Sequence, residues 1–281
     1  MANDLRAADL AIGIDFGGSG IKGAIVNIRT GEFVGDRIRI PTPQPSVPRE
    51  VVGVMDTLVR RLLEALATAD HGLDDGDLKS LPVGIGVPAA TRGGQVLTAA
   101  NIDAGWIGFQ AERELELAMG RTVAIGNDAD VAGLAELRFG TGRGQGGTVI
   151  VLTIGTGMGT AIFTDGHLLP NTELGHVELN GRDAEERVAE SGRSRFNMSW
   201  KEWAAGFNDY LLLMERLLWP DLFILGGGAS KRSDNYMQYV TVKTPVVIAT
   251  LKNNAGIVGA ALLAHERKGR IAVSLAGEPF S

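Results

Sequence analysis

Apolar residues follow two rhythms along this chain. Short dense runs of Ile, Val and Leu read as buried strands, and longer stretches with an apolar residue every third or fourth position read as helices. The first dense run predicts a strand over 10–15 and a hairpin partner over 21–28, folded about the glycine turn of IGIDFGGSGIKGAIV (12–26). Thr30-Gly31 marks a turn into a third strand, 33–39, and Pro41, Pro43, Pro45 and Pro48 end that section of sheet. Ser46 is set to cap a helix carrying Val47, Val51, Val54, Leu58, Leu62 and Ala65. LPVGIGVPA (81–89) predicts a short buried strand, followed by a helix over 110–119, a strand over 122–126 and a helix over 128–140 with Asp128 near its start. Residues 148–154 and 159–164 repeat the strand, glycine turn, strand unit as VLTIGTGMGTAIFTDG. A helix over 199–218 shows Trp203, Phe207, Leu211, Met214 and Leu218 on one stripe. DLFILGGGASK (221–231) is a strand entering a third glycine turn, and NNAGIVGAALLAHE (253–266) a terminal helix. The polar segment 180–198 has weak periodicity and is expected to be a long mobile loop.

The two strand, glycine turn, strand units read as copies of one device, one in each half. The class is therefore α/β, with two related lobes and a cleft between them. The expected N-terminal lobe is 1–127, completed by the C-terminal helix 253–266, and the C-terminal lobe is 128–252.

Composition narrows the chemistry. Glycine is abundant, 39 of 281 residues, and clusters beside strands, which points to special turns rather than disorder. The net charge of −6 speaks against general nucleic-acid binding. The absence of cysteine excludes disulfides, thiolate zinc sites and a cysteine nucleophile. MANDLRAADL has no apolar signal core and no run approaches a membrane span, so a cytoplasmic protein that does not bind membranes is expected.

The glycine turns are candidate phosphate cradles. Gly17, Gly18 and Gly20 can take positive φ, leave no Cβ in a ligand's way, and together with Ser19 can offer successive N–H groups as an anion nest. Asp15 just before the turn would repel phosphate, unless a Mg²⁺ ion stands between them. Lys22 can add positive charge. The bland alternative is a glycine-rich hairpin with an incidental aspartate. The second turn, Gly155-Thr156-Gly157-Met158-Gly159, adds the hydroxyls of Thr153 and Thr156, and the third has Gly226, Gly227 and Gly228 with Lys231 and Arg232 just beyond. Three such turns favour phosphate. GxxxxGK[ST] is absent, and the GxGxxG at 142–147 precedes a strand, so neither a P-loop nor a dinucleotide fingerprint is present.

AIGNDAD (124–130) puts Asn127 and Asp128 at the end of a buried strand, where either a catalytic carboxylate or a plain helix cap belongs. NTELGHVELNG (171–181) gathers Glu173, His176 and Glu178, and TAANIDAGW (98–106) offers Asn101 and Asp103 with Trp106 beside them. Such polar groups suit a ring of sugar hydroxyls, although a solvated loop would look the same.

Together, DFGGSGIKG, NDAD, LTIGTGMGTA, ELGH and LFILGGGASK resemble the ROK family within the actin/hexokinase-like (ribonuclease H-like) ATPase superfamily, over about residues 10–265. PNTELGHVE, LLWPDLFILGGGASK and LKNNAGIVGAALLA resemble its polyphosphate glucokinases and polyphosphate/ATP glucomannokinases. The resemblance implies phosphoryl transfer to the 6-hydroxyl of glucose or mannose from polyphosphate or ATP, with Asp128 as general base. It implies that Asn101, Asn127, Glu173 and His176 hold the sugar, with Glu185 offered as a further glutamate. It also implies Mg²⁺ at Asp15, phosphates on Gly17–Gly20 and Gly155–Gly159, and nucleotide near Gly227, Gly228 and Lys231. Most ROK proteins follow the GH pair with zinc-binding cysteines; with none here, no zinc is expected. ROK repressors carry an N-terminal helix-turn-helix, for which a first strand near residue 10 leaves no room. Lys22, Arg193, Arg195, Lys201, Lys231, Arg232 and Lys243 are candidates for a polyphosphate track, each with a solvated face as the alternative. The rival readings are an ATP-only kinase for fructose or N-acetylmannosamine and a non-catalytic sugar-binding regulator. A monomer or a homodimer fits equally.

Overall fold

The computed structural model describes residues 5–68 and 72–275. In chain order it begins with strands β1 (Leu10–Gly17), β2 (Gly20–Asn27) and β3 (Phe33–Ile40), then helices α1 (Pro48–Ala67) and α2 (Asp75–Ser80). Next come β4 (Val83–Val87), the small hairpin β5 (Thr91–Arg92) and β6 (Gln95–Val96), α3 (Ala111–Met119), β7 (Val123–Asn127) and α4 (Asp128–Phe139). They are followed by β8 (Thr148–Ile154), β9 (Met158–Thr164), β10 (His167–Leu169), β11 (Glu178–Leu179) and β12 (Arg182–Asp183). The remainder is α5 (Ala184–Val188), α6 (Glu190–Arg195), α7 (Trp200–Leu218), β13 (Leu222–Gly227), β14 (Val246–Ile248) and α8 (Ala255–Leu275). The chain divides into two compact units, Met1–Ala135 with Asn254–Ser281, and Glu136–Asn253.

The first unit is built on a five-stranded sheet in the order β3-β2-β1-β4-β7, and the second on one in the order β10-β9-β8-β13-β14. In each, an antiparallel meander precedes two strands added parallel to the first strand. The two sheets thus share one topology, and the two glycine hairpins occupy the same place in each. The parallel strands β4 and β13 are apolar almost throughout, as strands covered on both faces must be.

In the first unit, Ile12, Ile14 and Phe16 of β1 pack with Val51, Met55, Leu58 and Leu62 of α1. Each such buried side chain contributes about 1.5–3 kcal/mol of apolar burial. The opposite face of the sheet carries glycines. A Cβ on Gly13 would fall on the Ile257 carbonyl, one on Gly84 on the Ala260 carbonyl, and one on Gly259 on the Val131 carbonyl. These positions need glycine for clearance, so that α8 can lie backbone to backbone on β1 and β4 and against α4.

Three expectations are corrected. Ser46 does not cap α1: Val47 is the N-cap, with no side-chain bond. The Ser46 hydroxyl instead accepts the Asp103 N–H at 3.1 Å, and its carbonyl accepts the Trp106 indole N–H at 2.8 Å. The segment 180–198 is not a structureless loop. It contains β12, α5 and α6, anchored by buried Ala184, Val188 and Ala189 in the core beneath α7. Gly17, Gly18 and Gly20 do not take positive φ; among the glycines of the three turns only Gly227 does, at 75°. At Gly20 the demand is space, because a Cβ would meet the Arg39 guanidinium at 2.5 Å.

Denaturant unfolding separates these demands. Gly84→Ala is expected to destabilise by about 1–3 kcal/mol or more through overpacking. Gly53→Ala, in the interior of α1 with nothing within 4 Å, is expected to stabilise by about 0.5–1 kcal/mol. A Gly84→Ala protein as stable as the parent would refute the close approach of α8.

Candidate functional site

The chemistry of the first unit gathers where its parallel strands end. Asp15, late in β1, pairs in register with Gly86 of β4, and β4 pairs in turn with β7, which runs into Asn127. A Cβ on Gly86 would lie 3.6 Å from the Asp128 Cα, so Asp15 and Asp128 flank the same strand. Asn127 shows the capping role: its Oδ1 accepts the N–H groups of Ala129 at 2.9 Å and Asp130 at 3.1 Å, and its Nδ2 donates to Ala89 O at 3.3 Å. Asp128 Oδ1 accepts the Ala129 N–H at 2.8 Å. Asn127 is buried while Asp128 remains half-exposed, so the two neighbours divide the tasks of ending the strand and presenting a carboxylate.

Asp15 is half-exposed and its Oδ2 lies 3.2 Å from the Lys22 ammonium. Its Cγ would be 3.4 Å from a Cβ on Gly256, in the first turn of α8, a helix end that favours negative charge. Asn101 is exposed, and its carbonyl would be 3.8 Å from a Cβ on Gly18. Trp106 is not beside it on the surface. It is 1% exposed, packs on Phe16 and Phe109, and belongs to the core. Asp103 accepts the Gly105 N–H and caps a short 3-10 turn.

The second unit repeats the arrangement. Gly227 of β13 pairs in register with Ile154 of β8, so the turns at Gly155–Gly157 and Gly227–Gly228 leave neighbouring parallel strands at the same edge. Glu185 of α5 accepts the Met158 N–H at 2.6 Å and lies 2.7 Å from where a Gly157 Cβ would be. A Cβ on Gly228 would be 2.8 Å from the Glu190 carboxylate. Thr153 is half-buried on β8, Thr156 is exposed, and Lys231 is exposed in a 3-10 segment after Gly228.

Glu173, His176 and Glu185 act on one another electrostatically. Partial loss of water holds the Glu173 carboxyl above the usual carboxylate range, and the Glu185 charge adds to this while His176 opposes it. Much of Glu173 is exposed, so screening tempers the effect. His176 Nδ1 lies 3.0 Å from Asp183 Oδ2, and this bond is the largest cause that holds the imidazole pKa above its ordinary value. Sequence reasoning missed Asp183; seven residues separate it from His176, and only the β11–β12 hairpin brings them together.

Of the cationic candidates, Lys22 pairs with Asp15 and Arg193 stacks 4.0 Å over the Trp200 ring. Lys243 lies near Glu215, while Arg195, Lys201, Lys231 and Arg232 are exposed. Among the described residues, no group of three or more His, Cys, Asp or Glu side chains is arranged to hold a metal ion. A single carboxylate at Asp15 still fits Mg²⁺, which keeps most of its waters and takes one or two carboxylates beside substrate phosphates. Among the same residues, no helix is long and apolar enough to cross a membrane.

The His176–Asp183 pair sets a pH dependence of definite sign. Because the folded pKa is raised, the pair's stabilisation is fully present below the ordinary value of 6.5 and fades as pH rises through the folded value. An NMR titration of His176 should show a raised pKa that falls back in Asp183→Asn; an unchanged value in that variant would contradict the pairing.

The model of the ROK family matches residues 11–206. The chain is 43% identical over 251 residues to a polyphosphate glucokinase of Mycobacterium tuberculosis (strain CDC 1551 / Oshkosh), covering 89% of each chain. It superposes on the crystal structure of the inorganic polyphosphate/ATP-glucomannokinase of Arthrobacter sp. strain KM with a TM-score of 0.83 and 42% identity, over 94% of this chain and 99% of that one. A ROK family glucokinase from Streptomyces griseus, solved with glucose and AMPPNP, matches with a TM-score of 0.74 at 23% identity, over 92% and 99% of the two chains, and so speaks to the fold alone. The chain has the actin/hexokinase-like fold and belongs to the ROK family.

Proposed function

We propose that this protein transfers a phosphoryl group from inorganic polyphosphate or ATP to the 6-hydroxyl of glucose, and of mannose. The observation that carries the reading is Asp128: a half-exposed carboxylate at the head of α4, at the strand ends that also carry Asp15 and the first glycine turn. The similarity to polyphosphate glucokinases and to a polyphosphate/ATP-glucomannokinase supports the choice of donor and acceptor.

Asp128 accepts the proton of the attacking hydroxyl, a service worth about 10²–10⁴-fold in rate. Glu173, His176 and Glu185, with Asn101 and Asn127, hold sugar hydroxyls. Asn127 does so only through the hydrogen-bonding capacity that its capping of α4 leaves over. The N–H groups of the turns at Gly17–Gly20 and Gly155–Gly157 receive phosphate oxygens, and Gly227, Gly228 and Lys231 meet the nucleotide when ATP is the donor. Asp15 would hold Mg²⁺, which when bound neutralises charge on the donor phosphates. Lys22 steadies Asp15 and adds positive charge. Fixed donors of this kind often supply the larger share of catalysis.

Asp128→Asn is expected to lower kcat by about 10²–10⁴-fold while glucose still binds; titration calorimetry and steady-state rates read the two effects separately. Near-parental turnover would remove Asp128 from its role. A coupled assay of glucose, mannose, fructose and N-acetylmannosamine, each with polyphosphate and with ATP, should show turnover of glucose and mannose with both donors. Turnover with ATP alone, or only of fructose or N-acetylmannosamine, would replace the proposal with an ATP-only hexose kinase. Binding of sugar without turnover would make the chain a regulator.

A further inference from the structure

Both glycine hairpins are held from behind in the same way. In the first, three successive carbonyls accept side-chain donors: Gly17 O from Thr42 Oγ1 at 2.6 Å, Gly18 O from Gln44 Nε2 at 3.0 Å, and Ser19 O from Arg39 Nη2 at 2.8 Å. In the second, two successive carbonyls are held by α6: Gly155 O by the Glu190 N–H at 2.8 Å and Thr156 O by Ser191 Oγ at 2.6 Å. None of these donors belongs to the turn it holds. Thr42 and Gln44 come from the proline-rich segment after β3, Arg39 from β3 itself, and the second set from the segment expected to be loose.

The consequence follows from peptide planarity. A carbonyl and the N–H of the next residue share one rigid plane and point in opposite directions. Holding Gly17 O and Gly18 O therefore aims the Gly18 and Ser19 N–H groups away from Thr42 and Gln44. Holding Gly155 O and Thr156 O aims the Thr156 and Gly157 N–H groups away from α6. Glycine-rich turns rotate their peptide planes easily, so without these bonds the amides would be free to swing and an anion would have to order them at its own cost. The chemistry of two adjacent N–H groups fixed on one side is that of an oxyanion receptor.

We propose that Thr42 and Gln44 in the first unit, and Ser191 in the second, are positioning residues for the phosphate donor. Each sets the direction of a turn amide by bonding the carbonyl of the same peptide plane. They touch no substrate themselves. The inference rests on the reading that these turns receive phosphate, and extends it to residues behind them. It gives α6 a function: a backstop for the second turn, with Glu185 holding the next N–H, at Met158.

The test compares Ser191→Ala and Thr42→Val with Ser191→Thr and Thr42→Ser, which keep a hydroxyl. Tripolyphosphate is titrated into each protein calorimetrically, glucose is titrated separately, and steady-state rates are taken against each substrate. Ser191→Ala and Thr42→Val should raise the Kd and KM for the phosphate donor about tenfold, the size of one hydrogen bond to a charged group. The glucose Kd and the kcat at saturating donor should stay within about twofold, and Ser191→Thr and Thr42→Ser should restore donor affinity. Unchanged donor affinity in Ser191→Ala, an equal loss of glucose affinity, or failure of both rescues would overturn the proposal. Thr42 is 6% exposed; should Thr42→Val fail to fold, Ser191→Ala on the surface decides alone. Parent protein that binds no tripolyphosphate, with or without Mg²⁺, would count against phosphate binding at the turns themselves, an outcome distinct from failure of the pins.

Discussion

Helix α8 lies closer to the sheet of the first unit than side chains would allow, and much of the site's geometry follows from that contact. The Ile257 and Ala260 carbonyls occupy the space of absent side chains at Gly13 and Gly84, and Gly259 admits the Val131 carbonyl of α4 in the same way. Four backbone segments, β1, β4, α8 and α4, are thereby fixed against one another with no flexible side chain between them. The first turn of α8 comes to rest beside Asp15, and α4 is fixed with Asp128 at its head. Close-packed backbone transmits position with little slack, so both carboxylates are held on a rigid frame.

The two units solve the same problem with the same topology. Each puts a glycine turn directly after its first strand and adds parallel strands whose ends reach the same edge. Each binds the carbonyls of that turn from behind. They differ in what accompanies the turn. The first unit supplies the carboxylates Asp15 and Asp128. The second supplies a cluster of Glu173, His176 and Glu185, in which partial loss of water raises the proton affinity of Glu173 and the Asp183 hydrogen bond raises that of His176. Phosphoryl transfer asks mainly for positioning and charge neutralisation, and both units are built for positioning.

Much of this was legible in the sequence because strand and helix periodicity are strong local signals. The β1–β2 and β8–β9 hairpins, the buried stripe of α7 from Trp203 to Met214 and the strand of LFIL all lie where the pattern of apolar residues puts them, whereas Leu218, expected on that stripe, is exposed at the end of the helix. The errors have particular causes. Segment 180–198 reads as loose because its helices are short and mostly polar, and are held by a few buried alanines and one valine rather than by an amphipathic stripe. Ser46 looks like a cap from its neighbours, but its partners, Asp103 and Trp106, are more than fifty residues away. Glycines at a turn suggest positive φ, whereas most of these make room for a carbonyl, a guanidinium or a carboxylate, a demand invisible without the partner. Asn127 was open between cap and ligand, and its capping bonds became visible only with the helix in place. Thr42, Gln44 and Ser191 sit in no motif, so nothing local marks them.

The central claim is that backbone amides of the glycine turns receive the phosphate donor while Asp128 takes the proton of the sugar hydroxyl. A crystal structure of the protein with glucose and a non-hydrolysable phosphate donor tests it most directly. The account predicts phosphate oxygens on the N–H groups of Gly18–Ser19 or Thr156–Gly157, and an Asp128 carboxylate oxygen about 2.6–3.2 Å from the sugar 6-hydroxyl. A donor bound away from both turns, or a 6-hydroxyl out of reach of Asp128, would contradict it.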